Sequence, residues 1–120
     1  MRNIQKTYAL IIGIILIIIA IWGFFVSGSN LWWGTFGTNY VLSIIYLIGG
    51  LFGIYSGVWG RGYMYNMTIG WIGIIMGILG FIPGIDSVFT TLFGINTATN
   101  VLHLAIGIIS LIIAYSVDVE

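Results

Sequence analysis

His103 is the one histidine in a chain of 120 residues that has no cysteine, and it stands in a row of polar and small residues inside an otherwise apolar segment. Asn96, Asn100, His103, Gly107, Ser110 and Ala114 follow at spacings of 4, 3, 4, 3 and 4, which places all six on one helix face. An imidazole there can hydrogen-bond a neighbour, respond to protons near neutrality, or hold a small polar ligand. A second row, Asn39, Ser43, Tyr46, Gly50, Gly53 and Gly57, repeats the same spacings in an earlier segment. Stacked against each other, the two rows gather Asn39, Ser43, Tyr46, Asn100 and His103, headed by Asn96, into one polar intramembrane cluster.

Catalytic chemistry finds little to work with. Asp86 falls on one side of the expected fold and Asp118 and Glu120 on the other, so no acid pair, no nucleophile with its base and no metal cluster can be assembled. The expectation is of a protein that is not an enzyme, with no catalytic residues, no metal and no cofactor.

The elements that carry these rows follow from composition. Hydrophobic residues make up 60% of the chain and charged residues 5%, against about a quarter charged in a soluble domain. Apolar stretches at 7–26, 39–59, 67–82 and 98–117 approach the roughly 20 residues that cross about 30 Å of hydrocarbon. The spans predict an all-α, integral membrane four-helix bundle, a single domain over residues 1–120. In hydrocarbon an unsatisfied polar group costs kilocalories, so both polar rows must face protein or water. The first stretch also has the basic start of a secretory signal, but its apolar run exceeds the roughly 7 to 15 residues of a signal core and is read as a span.

Arg2, Lys6 and Arg61 all fall on one side of the four spans, which predicts cytoplasmic N and C termini and a multi-pass protein of the cytoplasmic (inner) membrane. Tyr8, Trp59, Tyr63, Tyr65, Trp71 and Tyr115 then gather near the inner interface, and Trp22, Trp32, Trp33, Tyr40 and Phe93 near the outer one. A net charge of zero argues against nucleic acid as a partner. Asn30 before Leu31-Trp32-Trp33, and Asp86-Ser87 before Val88-Phe89, have the order of a helix N-cap, so each outer connection is expected to hold a short surface helix. Pro83-Gly84 should end the third span near Ile82. Asn66-Met67-Thr68 matches a glycosylation acceptor but falls on the cytoplasmic side, where it carries no meaning.

Sliding the chain against itself by 60 residues gives 13 identities in 60 positions, among them Gly13 with Gly73 and Tyr55-Ser56 with Tyr115-Ser116. This predicts an internal repeat: two tandem helical hairpins related by a pseudo-twofold axis along the membrane normal. Gly49, Gly53 and Gly57 in the second span, Gly73, Gly77 and Gly80 in the third and Gly107 in the fourth form small-residue faces of the glycine-zipper kind. Helices in lipid associate through close backbone approach, which glycine permits, so these residues are the expected packing positions. The neighbour is another helix of this chain or the same face of a second copy.

The runs Gly80-Phe81-Ile82-Pro83-Gly84, Leu92-Phe93-Gly94-Ile95 and Asn100-Val101-Leu102-His103-Leu104 with Gly107 resemble an uncharacterised family of small four-helix prokaryotic membrane proteins whose last helix carries an Asn-x-x-His-x-x-x-Gly motif. The likeness covers the second half best. It implies the four-helix fold and singles out Asn100, His103 and Gly107 without supplying a role. The sequence thus points to a non-enzymatic membrane component, a structural or accessory subunit or a homo-oligomer, with the lipid bilayer and a membrane-protein partner around it. The alternative is a protein that binds or transports a small solute, a proton or a lipid headgroup through the polar cluster around His103.

Overall fold

A computed structural model describes residues 4–26 and 35–116. Five helices run through them: α1 Ile4–Phe25, α2 Tyr40–Val58, α3 Tyr63–Leu79, α4 Ile85–Phe93 and α5 Thr97–Ser116. Three of these, α1, α2 and α5, are long and apolar enough to cross a membrane, while α3, at 17 residues, is a shorter apolar helix. It starts four residues before the stretch at 67–82 because Gly62, at φ 84°, turns the chain so that Asn66 N–H already bonds Gly62 O. It stops at Leu79, after which the Phe81 and Ile82 amides bond back to Ile78 and Leu79 in tighter turns ahead of Pro83.

The expected surface helix after Pro83-Gly84 is α4. Its N-cap is Gly84, not Asp86; the Asp86 carboxylate accepts from the Gly84 and Ser87 amides at 3.0 and 2.7 Å from inside the first turn. The counterpart expected at Asn30 to Trp33 lies outside the described residues, as do Arg2, Asp118 and Glu120.

Burial runs opposite to that of a soluble domain. Of the six largest fully buried side chains among the described residues, Ile95, Gln5, Asn66, Thr99, Ser43 and Ser110, only Ile95 is apolar, while isoleucines such as Ile18, Ile48, Ile75 and Ile112 lie about half exposed. Apolar side chains face outward because hydrocarbon solvates them as well as protein does, leaving the interior to small and hydrogen-bonding groups.

The helices associate as two antiparallel pairs, α1 along α2 and α3 along α5, with far fewer backbone contacts between the pairs. Each pair closes on glycine. A Cβ on Gly50 would stand 2.7 Å from Gly13 O and 3.0 Å from Ile17 N; one on Gly107 would stand 2.8 Å from Gly70 O and 2.7 Å from Ile74 N. Gly70, Ile74 and Gly107 each stand 57 residues after Gly13, Ile17 and Gly50. At the α4 end of each pair, the end that the sequence expectation places outward, Gly23 packs on the Ser43 side chain, and Gly80, again 57 later, packs on Asn100. The contacts recur at 57 residues, not at the 60 read from sequence identities. At 57 the chain has 14 identities in 63 positions, so identity alone does not separate the two registers; backbone contact does. Gly53, Gly57, Gly73, Gly77, Gly80 and Gly107 lie in tight contact, whereas Gly49 meets only the end of Leu16 at 3.6 Å and Gly50 takes the close position.

Candidate functional site

Between the two helix pairs runs a seam crossed by side-chain hydrogen bonds at four levels. At the outer end, Asn39 caps α2 by accepting from Leu42 N–H at 2.9 Å and donates across the seam to Leu92 O at 2.9 Å. Asn96 does the same for α5, accepting from Thr99 N–H at 3.0 Å and donating to Thr35 O at 3.0 Å. Thr99, fully buried, donates its hydroxyl to Gly37 O at 2.8 Å. About 10 Å further in, at 1.5 Å per residue, the Tyr46 hydroxyl and His103 Nε2 lie 2.7 Å apart with their rings edge to face.

Deeper still, Tyr65 donates to Gly49 O at 2.8 Å and Tyr8 shares a 2.6 Å bond with Ser110 Oγ. At the inner end two fully buried amides tie three helices together. Gln5 Nε2 donates to Ile113 O at 2.9 Å, and Asn66 Nδ2 donates to both Gln5 O and Gln5 Oε1 at 2.9 Å.

The 57-residue spacing reappears across the seam. Asn39 to Leu92 and Asn96 to Thr35 are the same contact with the halves exchanged. Gly37 with Gly94, Tyr46 with His103 and Gln5 with Gly62 each stand 57 apart and touch each other, near the outer end, in the middle and at the inner end. Gly94 has φ 69°, a conformation open to glycine, and packs on the Thr38 carbonyl. Where Tyr8 meets Ser110, Tyr65 meets the equivalent Gly53; glycine offers no hydroxyl, and the phenol takes the Gly49 carbonyl instead.

The six residues proposed as one cluster are therefore separated. Tyr46 and His103 bond each other across the seam, and Asn39 and Asn96 cap helices at its outer end. Ser43 and Asn100 turn away, Ser43 against Gly23 inside the first pair and Asn100 onto Gly80 O at 2.9 Å inside the second. The rows do not stack on each other: α2 and α5 make no sustained backbone contact, and each row's small residues face its own hairpin partner. A face with spacing 4, 3, 4 is wide enough to touch two neighbours, and its narrowest residues seek the closer one.

Sequence reading missed Gln5, Tyr8, Tyr65, Asn66 and Thr99. Gln5 and Asn66 preceded the expected helix starts, and Tyr8 and Tyr65 were assigned to an interface belt, although 57 residues separate them too. Buried atoms without a hydrogen-bond partner among the described residues are Thr38 Oγ1, Ser43 Oγ, Asn66 Oδ1, Asn100 Oδ1 and His103 Nδ1. Chemically the Tyr46–His103 pair has two states. With Nδ1 protonated, the phenol donates to Nε2; with Nε2 protonated, the imidazole donates to the phenol oxygen. Among the described residues no three His, Asp or Glu side chains come together as metal ligands would.

Fold and site together define an all-α protein with three helices, among the described residues, long and apolar enough to cross a membrane, whose two helix pairs are joined by a polar, hydrogen-bonded seam. The chain belongs to the family described as Domain of unknown function (DUF4383), whose model matches residues 6–116. Comparisons with curated proteins and with solved structures gave no match.

Proposed function

We propose that this chain is a non-enzymatic component of a prokaryotic cytoplasmic membrane, a four-helix bundle of two related hairpins with both termini inside, serving as a structural or accessory subunit or as a homo-oligomer. The observation that carries this reading is that Gln5, Asn66, Thr99 and Ser110, four of the six buried polar side chains among the described residues, bond across the seam, so that polar chemistry joins the halves while the outer surface stays apolar. The recurrence of contacts at 57 residues supports a pseudo-twofold axis along the seam, with Gly37–Gly94, Tyr46–His103 and Gln5–Gly62 lying on it. Although short, α3 is read as the fourth crossing: it packs along α5, and the turns from Gly80 to Gly84 lengthen its path. The bilayer and a second membrane protein or second copy are the partners of this reading.

One observation favours a second reading, a protein that binds or transports a small polar solute, a proton or a lipid headgroup. His103 Nδ1 lies buried in the outer half with no partner among the described residues, so the imidazole retains a donor or acceptor to offer. Native mass spectrometry of the protein extracted with its own lipids separates the two, comparing wild type with His103→Ala. An unchanged stoichiometry with the same bound species, or none, in both proteins supports the subunit reading. A small molecule present in wild type and lost in the variant overturns it in favour of binding.

A further inference from the structure

The turn joining α2 to α3, at the end of the molecule opposite α4, carries an open groove of about 390 Å3 whose walls include Ser56, Arg61, Tyr63, Met64 and Tyr65. The side chains of Arg61, Ser56 and Tyr63 have no hydrogen-bond or ion-pair partner among the described residues, so one guanidinium and two hydroxyls are available to whatever occupies it. The start of α1 brings a second cation to the same end: Gly62 packs on the Gln5 and Lys6 backbone, and Lys6 Nζ donates to Val58 O at 3.4 Å. Asp86, the one acid among the described residues, lies in α4 at the other end; Asp118 and Glu120, which the sequence puts on the same side as Arg61, lie outside the described residues.

The remaining walls are mainly apolar. Met64, in one of them, is 66% exposed, and Trp59, 73% exposed at the end of α2 just before the turn, leans on the Tyr55 ring. In a membrane-crossing protein this is the depth of headgroups and the upper acyl chains. A guanidinium with flanking hydroxyls matches a phosphate diester, and an apolar wall beside it matches a chain. A free anion would have no use for that wall.

We propose that the α2–α3 turn is a binding site for one anionic phospholipid, its phosphate held by Arg61 with Ser56 and Tyr63 and its acyl chains laid along Met64 and Trp59. The proposal rests on the reading that these helices cross a bilayer with this turn on the cytoplasmic side, where anionic lipid attracts basic residues.

The test is native mass spectrometry of the full chain in detergent, with phosphatidylglycerol and phosphatidylcholine of identical acyl chains supplied in equal amounts. Wild type should retain phosphatidylglycerol over phosphatidylcholine by about tenfold, and Arg61→Gln should bring that ratio close to one. Arg61→Lys should recover part of it. Arg61 is exposed in a turn and makes no described contact that folding needs, so the variants will fold. An unaltered preference in Arg61→Gln overturns the site. Displacement of the lipid by millimolar inorganic phosphate overturns the lipid as occupant in favour of a free anion. Orientation is read separately from Thr91→Cys, exposed in α4 at the opposite end of this cysteine-free chain. An impermeant maleimide should label it in sealed right-side-out vesicles; labelling only after the vesicles are opened overturns the cytoplasmic placement of the α2–α3 turn, while the lipid preference is judged by the first measurement.

Discussion

At the scale of single residues the seam turns on Tyr46 and His103, two different side chains at equivalent positions of the two helix pairs. Tyr46→Phe removes the one described partner of an imidazole whose other nitrogen already has none, and should cost about 0.5–2 kcal/mol in thermal unfolding in detergent. Exchanging the two residues, Tyr46→His with His103→Tyr, puts the same groups on opposite helices and should recover most of that loss. Either single exchange should recover less, since two imidazoles fall short of each other and two phenols overfill the gap. A double variant no more stable than the worse single one would show that the two positions are not equivalent. Helical spacing made both residues legible as facing protein, together with Asn39, Ser43, Asn96 and Asn100. It could not say which neighbour each would meet, because one face touches two, and so Ser43 and Asn100 left the cluster for the hairpin interiors.

At the scale of helices the decisive quantity is how closely backbones approach. Gly107 has Ile74 N and Gly70 O within 2.8 Å of where a Cβ would stand, and backbone cannot yield as a side-chain end can. Gly107→Ala should therefore destabilise α3–α5 packing by about 1–3 kcal/mol. Gly49→Ala meets only Leu16 at 3.6 Å and should be neutral or stabilising by up to about 1 kcal/mol from helix propensity. Equal losses for both variants in the same unfolding assay would mean that the backbone spacing is wrong. The regular four-residue spacing of Gly49, Gly53 and Gly57 favoured the wrong member of the adjacent pair Gly49-Gly50, since contact along a helix alternates between three and four residues. The first turn of α3 was hidden for a related reason: Tyr63 to Asn66 is aromatic and polar, and an apolar window does not begin there.

At the scale of the whole molecule the question is whether the two hairpins are one unit used twice. Three spans were legible in the sequence as helices long and apolar enough to cross a membrane, but identities set no register for a repeat, because Ile and Gly recur so often that 60 and 57 residues give similar numbers of identities. Three-dimensional contact separates them, and it makes the symmetry testable without any structure. Asn39 and Asn96 each cap a membrane-crossing helix and each donate to a carbonyl of the opposite hairpin at 2.9 and 3.0 Å. Removing either side chain deletes one cap, worth about 0.5–2 kcal/mol, and one bond across the seam, worth about 0.5–1.5 kcal/mol. Asn39→Ala and Asn96→Ala should thus cost the same within about 0.5 kcal/mol, near 1–3 kcal/mol each. Asn96 also sits beside the Thr99 hydroxyl, which keeps its bond to Gly37 O in the variant and leaves the comparison fair. Asn39→Asp and Asn96→Asp extend the argument: an aspartate still caps its helix but cannot donate, so each should retain the cap and lose only the bond across the seam. Matched partial losses in that second pair would tie the symmetry to the seam itself; one large and one negligible loss would mean that a single hairpin holds the other, and that the pseudo-twofold relation has no energetic counterpart.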